Sequence, residues 1–373
     1  MLACGCLLIM SSTQKRFWVA GATGFLGRHV VFALREQGHH VVAVSRSGGW
    51  LSGEDGGIGV TTVDALDRDA VAESARGCDG AFLCTGKVSR DRDDAEELFR
   101  LHVVGTREAL AGLRSAGICR VVVASTSGTL AVGTDGEQVH DERSRAPLEI
   151  IAAWPYYRSK LYGEREALEA NDPPDFEVIV VNPSLLLGPG DERESSTGDV
   201  RRFLERAIPA VPAGGMAFVD VRDAASGMLL AFERGRAGER YLLNAKNLTI
   251  AAFLQRLERL TGVPAPRLRM PRTRALALGA NRLFSQALRA IGGEPPTDEV
   301  SVEMAQYFWY CTAEKAEREL EWAARDPGET LRDTVEDLLE RKRAFAKGPA
   351  LGRASPSALG HDVQRLIKML PRG

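Results

Sequence analysis

The stretch that decides the fold is Arg16-Phe-Trp-Val-Ala20-Gly21-Ala-Thr23-Gly24-Phe25-Leu26-Gly27. A short apolar run ends in three glycines spaced three apart. Val30, Val31, Leu34 and Gln37 then follow at helical spacing until Gly38 stops the pattern. Glycines between a strand and a helix have three uses here: one permits the tight turn, one lets backbone N–H groups approach a pyrophosphate, and one brings helix and strand together. The phosphates of a dinucleotide then sit at the positive end of the helix that begins at Phe25. The plain alternative is a glycine turn that serves only the connection.

Outward from this loop the chain alternates strand and helix. Val41 to Val44, Val60 to Val63, Gly80 to Cys84 and Arg120 to Ser125 read as strands, and Leu98 to Ala116 reads as a helix. Strands separated by helical stretches imply βαβ units, hence an α/β fold with a doubly wound parallel sheet and helices on both faces. The expected organisation is an N-terminal extension over 1–15 and a dinucleotide-binding domain over 16–186, with a returning segment near 219–230. A smaller, mostly helical substrate region over 187–342 and a basic tail over 343–373 complete it.

Composition narrows the function classes. The 373 residues carry 48 Lys+Arg against 50 Asp+Glu, and 44% are hydrophobic, which argues against a disordered chain and against a nucleic-acid binder with its basic excess. The six cysteines are scattered, only Cys4 and Cys6 are close, and no metal-ligand spacing occurs. A reducing, cytoplasmic setting fits, with no metal. The apolar stretch before Ser11 is too short to span a bilayer and has no basic residue ahead of it. From Arg341 onward eight Lys/Arg face the single acid Asp362, and Val363, Leu366, Ile367 and Leu370 fall on one helical face. The tail reads as a solvated extension, with peripheral contact to an anionic membrane as its functional alternative. The stripe Leu276, Ala280, Leu283, Phe284, Ala287, Leu288 and Ile291 reads as the core-facing side of a helix.

Two positions bear on the choice of dinucleotide. An acid at the end of the second strand accepts hydrogen bonds from the adenosine ribose and repels a 2′-phosphate. This chain has Ser45 and Arg46 there, and Arg46 is suited to pairing with a 2′-phosphate, which favours NADP over NAD. Asp64, at the end of the third strand, is placed to accept from an adenine amino group.

The strongest chemical signal is Tyr156-Tyr157-Arg158-Ser159-Lys160. Tyr156 and Lys160 are four apart and share one helical face, whereas Tyr157 has Leu161 at that spacing. A nearby ammonium favours the phenolate, so the expectation is a lowered Tyr156 pKa and an acid–base role. The pair follows the glycine loop by about 130 residues and a strand ending in Ala124-Ser125-Thr126-Ser127.

With these motifs the chain resembles the extended short-chain dehydrogenase/reductases, within the NAD-dependent epimerase/dehydratase group and nearest its dihydroflavonol reductase and 3β-hydroxysteroid dehydrogenase branch. Supporting stretches are Cys78-Asp-Gly-Ala-Phe-Leu-Cys-Thr85, Gly105-Thr106, Asn182-Pro183-Ser184, Gly188-Pro-Gly-Asp191, Ser196-Thr-Gly198 and Phe218-Val-Asp-Val-Arg-Asp223. The resemblance implies a Rossmann-like fold and a catalytic set of Tyr156, Lys160 and Thr126. It also implies cofactor contacts at Gly21, Thr23, Gly24, Phe25, Leu26, Gly27, Arg46, Asp64, Thr85, Tyr156, Lys160 and Pro183. Ser125 and Ser127 flank Thr126, so the hydroxyl is placed to within one residue. Where the family often carries Asn, this chain has His102, to which no chemistry is assigned. The activity implied is NAD(P)-dependent reduction of a ketone, or oxidation of its alcohol, on a bulky, largely apolar ring substrate. The competing readings are a nucleotide-sugar epimerase/dehydratase, with Arg193, Arg201 and Arg202 as cations for a second diphosphate, and a non-catalytic dinucleotide-binding protein. A homodimer is a further option.

Overall fold

The computed structural model describes residues 14–51, 57–290 and 298–347. The main sheet contains β1 (Arg16–Ala20), β2 (His40–Ser45), β3 (Gly49–Leu51), β4 (Ile58–Thr62), β5 (Gly80–Leu83), β6 (Arg120–Ala124), β7 (Glu177–Pro183) and β10 (Arg240–Leu243). Their spatial order is β10-β7-β6-β5-β1-β2-β4-β3, and every pairing is parallel except that of β3 with β4. The order turns at β1, whose neighbours β2 and β5 carry the chain in opposite directions across the sheet. In such sheets ligands bind beyond the carboxyl ends of the strands at this switch point, and here the glycine loop occupies it.

Strands buried on both faces explain the near-continuous apolar runs in the sequence. Phe17, Val19 and Phe82 pack on one side against Val30, Val31 and Leu34 of the helix Phe25–Glu36 and against Ala224, Met228 and Phe232 of the helix Val221–Arg234. Trp18, Ala81 and Val121 pack on the other, against Val71, Leu110, Leu113 and Ala167 from the helices Arg68–Ala75, Gly105–Ser115 and Pro155–Glu169.

The remainder is interleaved with this layer. A second sheet, ordered β11-β9-β8, joins β8 (Leu185–Leu187), β9 (Gly215–Asp220) and β11 (Lys246–Thr249). With the helices Gly198–Leu204, Ile250–Thr261 and Pro327–Lys347 it buries Leu187, Phe203, Phe218, Phe253, Leu257, Leu331 and Leu338. The return to the main layer therefore runs further than 219–230: β10 also joins the main sheet, at its edge.

Three further differences from the sequence reading have local causes. The helix expected over Leu98–Ala116 starts earlier, as Ala95–Phe99, and passes through a π-turn at Arg100–Val104 before Gly105–Ser115. Arg341, counted above with the tail, lies in the helix Pro327–Lys347, donates to the Asp191 carbonyl and pairs with Asp337. On the helix Arg274–Ala290, Leu276 and Leu283 are 63% and 69% exposed, so the stripe read as core-facing turns partly to solvent. Periodicity defines a face; it does not say what covers it. The extension before Gln14 and the tail beyond Lys347 lie outside the described residues.

Candidate active site

The glycine loop is built by close approach. Gly21 has φ +71°, and a Cβ there would stand 2.6 Å from the Cys84 carbonyl oxygen. A Cβ on Gly27 would stand 2.1 Å from the Gly21 carbonyl oxygen, so the helix can seat on the loop only without a side chain. Gly24 caps the helix Phe25–Glu36 with extended backbone, no side-chain cap and no acid in its first turn. The first N–H groups and the positive end of the helix dipole are thus left for an anion. These features fit a dinucleotide pyrophosphate.

Thr23, Gly24, Phe25 and Leu26 line a cavity of about 770 Å³ that also includes Thr85, Thr126, Tyr156, Lys160 and Pro183. Gly21 and Gly27 act from behind this wall. Arg46 is exposed just past β2, with no ion-pair partner among the described residues, and its neighbour Ser47 lines the cavity. Asp64 uses Oδ1 to accept from the Leu66 N–H, at 3.1 Å, and does not itself line the cavity.

Tyr156 and Lys160 lie in the first turns of the helix Pro155–Glu169, which Pro155 opens at a position where its missing N–H costs nothing. Lys160 Nζ donates to the Ala124 carbonyl at 2.7 Å, tying the helix to the end of β6. Burial pulls the Lys160 amine down to about 8, against the opposing influence of Glu164 one turn on. For Tyr156 the structure reverses the expected direction. Burial, reinforced by Tyr157, holds its phenol above the ordinary tyrosine range. Desolvation, which penalises the phenolate, is the largest influence on this group.

Among the three neighbouring hydroxyls, Ser125 and Ser127 have other engagements. Ser125 donates to Glu164 Oε2 at 2.6 Å, and Ser127 is buried with its hydroxyl against Cys311. Thr126 accepts only a long contact, 3.4 Å, from the Gly128 N–H of the following 3₁₀ turn. Glu164 is 2% exposed and also accepts from Thr129 Oγ1 at 2.9 Å and Asn182 Nδ2 at 2.7 Å, with Arg240 at 3.2 Å. One buried carboxylate thus joins β6, β7, β10 and the Tyr–Lys helix.

His102 belongs to the cavity wall as well. Its Nε2 accepts from the Lys87 backbone N–H at 3.1 Å, and its Nδ1 lies 2.8 Å from Ser159 Oγ. Ser159 in turn donates to the Tyr156 carbonyl at 2.8 Å. Because a backbone N–H can only donate, Nε2 is the bare nitrogen and Nδ1 carries the proton. Burial, with the Lys160 charge adding to it, lowers this imidazole to about 2. It is a neutral strut between the Thr85–Lys87 segment and the Tyr–Lys helix.

The far half of the cavity is aromatic and sulfur-rich. Trp154 and Trp309 stack at 5.5 Å, Tyr157 lies 4.8 Å from Trp309, and Met216, Met270 and Met304 line the same space. Gly128 makes room for Tyr157: a Cβ there would stand 2.2 Å from its ring. Arg90 spans the wall, donating to Ser301 Oγ at 2.9 Å and Asp199 Oδ2 at 3.2 Å. Of the three arginines considered for a second diphosphate, Arg201 pairs with Glu194 and Glu205, while Arg193 and Arg202 line the cavity.

Residues 17–243 match the family described as the NAD dependent epimerase/dehydratase family. The chain belongs to this family. It is 35% identical over 326 residues to the Synechocystis sp. protein named "Putative dihydroflavonol 4-reductase", covering 86% of this chain and 93% of that one. It is 31% identical to the 4-hydroxy-2-methyl-3-oxo-4-farnesyl-3,4-dihydroquinoline-1-oxide ketoreductase of Stigmatella aurantiaca, covering 83% and 92% of the two chains. The crystal structure of gox2253 superposes with a TM-score of 0.74 at 25% identity, covering 88% of this chain and 99% of that one. The epimerase/dehydratase-family chain is accordingly an NAD(P)-dependent dehydrogenase/reductase with a small-molecule substrate.

Among the described residues of this family member, no helix is long and apolar enough to cross a membrane. Three parts of its site were not read from the sequence. His102 and Glu164 acquire partners only through tertiary contacts, and Trp309 reaches Trp154 from 155 residues downstream. The replacement of the family's Asn by His102 was the one available signal.

Proposed function

We propose that this enzyme reduces a ketone on a bulky, largely apolar ring substrate, with Tyr156 as general acid. The observation that carries this reading is a single cavity with the glycine loop at one end, Tyr156, Lys160 and Thr126 in the middle, and the Trp154–Tyr157–Trp309 wall with its methionines at the other. Flat rings stack well on such a wall, and methionine adapts to irregular apolar shapes.

The nicotinamide, when bound, supplies the hydride. The glycine loop and helix N-terminus hold the pyrophosphate, and Thr85 and Pro183 border the nicotinamide end. Thr126 donates to the substrate oxygen as charge develops there. Tyr156, kept protonated at neutral pH by burial, delivers its proton to that oxygen. Lys160 has one N–H committed to Ala124 and further donors for the ribose, and its charge stabilises the phenolate left behind. His102 and Glu164 hold the groups in register. Arg46 favours NADPH over NADH.

The reading is supported by the names of the ketone- and flavonoid-type relatives and by the apolar wall, while the pairing of Arg201 with two glutamates weakens the sugar-nucleotide alternative. The test is NADPH and NADH oxidation against a panel of ring ketones, alongside calorimetric titration with nucleotide-sugars. Turnover of ring ketones without nucleotide-sugar binding is expected. Tight nucleotide-sugar binding without ketone turnover would overturn the proposal.

A further inference from the structure

From Val263 to Ala290 the chain contains six arginines and no aspartate or glutamate. Arg274 is engaged with Glu303 and the Tyr307 hydroxyl, and Arg282 with Glu299. Arg267, Arg269 and Arg272 are exposed and have no ion-pair partner among the described residues. Leu268 stands between Arg267 and Arg269 in the chain, and Leu276 and Leu283 follow on the next helix; the three leucines are exposed by 70%, 63% and 69%. Leu276, Ala280 and Leu283 fall at i, i+4 and i+7 of the helix Arg274–Ala290 and form one outward stripe. Ala277 and Ser285, at 1% and 8% exposure, hold another side of the helix to the body.

We propose that this arginine-rich face docks the enzyme on an anionic lipid bilayer, with Leu276 and Leu283 entering the headgroup region. A helix lying in the interface needs an apolar stripe with cations near it whose stems extend along the boundary, and here the stripe begins four residues after Arg272. Charge complementarity selects the occupant. A second copy docking on the same face about a two-fold axis would set arginines against arginines. A nucleic acid would satisfy the guanidinium groups and leave three leucines against water and phosphate. An anionic bilayer accommodates both chemistries.

The surface also borders the cavity. Val211 N–H donates to the Leu268 carbonyl and Met270 N–H to the Val211 carbonyl, each at 2.8 Å, and Met270 lines the substrate half together with Ile208 and Pro209. Docking here brings the apolar end of the cavity to the membrane, where an apolar ketone concentrates.

The test is co-sedimentation of the full chain with phosphatidylcholine vesicles, with and without phosphatidylserine, at low and physiological salt. The wild type is expected to partition onto the phosphatidylserine vesicles, more weakly as salt rises, and to leave the neutral ones. The double variants Leu276→Ser/Leu283→Ser and Arg267→Gln/Arg272→Gln should each lower the partition coefficient at least about tenfold with unchanged Tm. Three outcomes overturn the proposal: no partition of the wild type at low salt, equal partition of both double variants and wild type, or a concentration-dependent dimer that the leucine variant abolishes. Equal partition would move the attachment point elsewhere on the chain. None of these readouts uses catalysis, so failure of the docking face and failure of the ketone-reductase reading are distinguishable.

Discussion

His102 Nδ1 lies 2.8 Å from the hydroxyl of Ser159, and that hydroxyl is spent on the carbonyl of Tyr156. The imidazole therefore sets the start of the Tyr–Lys helix while its other nitrogen fixes the Lys87 N–H. Replacing His102 with Ala takes the acceptor from the part-buried Lys87 N–H, at a cost of about 1–3 kcal/mol where water cannot reach it, and removes the group that holds Ser159. The expected outcome is a Tm lowered by several degrees and a KM for the dinucleotide raised more than kcat is lowered. Since His102 stays neutral from about pH 2 upward, the kcat/KM profile between pH 5 and 8 should have the same shape in wild type and variant. An inflection near pH 6.5 that vanishes with His102 would mean that it titrates.

The Lys160 amine, lowered to about 8 by burial, carries its proton below that pH and loses it above. Its charge supports the phenolate left after proton delivery, so reductive kcat/KM should be level through neutrality and fall as pH rises through about 8. Alcohol oxidation, which needs the Tyr156 phenolate, should instead rise with pH, because burial holds that phenol above its ordinary value. A pH series in both directions checks the opposed slopes.

Glu164 accepts three hydrogen bonds with only 2% of its surface exposed. Glu164→Leu strands the Ser125 hydroxyl, takes one acceptor from Thr129 and from Asn182, which keep the Thr126 carbonyl, and leaves Arg240 without its buried partner. The expected loss of unfolding free energy is about 3–5 kcal/mol, the range for breaking a buried charged network from one side. Glu164→Gln, which keeps one acceptor oxygen, should lose less. Urea unfolding of the two variants gives the comparison.

The Gly21–Gly27 loop and the Tyr156–Lys160 pair were legible because each is local: a turn, a helix start, one helical face. The parallel sheet followed from apolar runs alternating with helices. His102 was not legible, because the π-turn at Arg100–Val104 and the bare Gly163 give it its place. A Cβ on Gly163 would stand 2.1 Å from the His102 carbonyl oxygen. The direction of the Tyr156 shift was misread for a related reason: spacing supplies the neighbouring ammonium and says nothing of the depth at which the pair is buried. Leu276 and Leu283 show the same limit on the surface, a periodic face with no partner to cover it.

Arg46 stands exposed past β2 where a ribose-binding carboxylate would disfavour a 2′-phosphate. NADPH should support turnover at least as well as NADH, and Arg46→Ala should lower kcat/KM for NADPH about tenfold, the loss of one charge-assisted contact, while leaving NADH nearly unchanged. Steady-state kinetics with both cofactors decide it; equal loss with both would remove Arg46 from cofactor selection.

The central claim is that Tyr156 donates the proton, and Tyr156→Phe tests it most directly. The ring, its packing against Tyr157 at 4.9 Å and the glycine loop are all retained; only the acid is removed. Turnover of a ring ketone should fall about 10²–10⁴-fold, with dinucleotide affinity by fluorescence titration nearly unchanged. A variant that keeps more than about a tenth of wild-type kcat, well short of what a general acid contributes, would contradict the account.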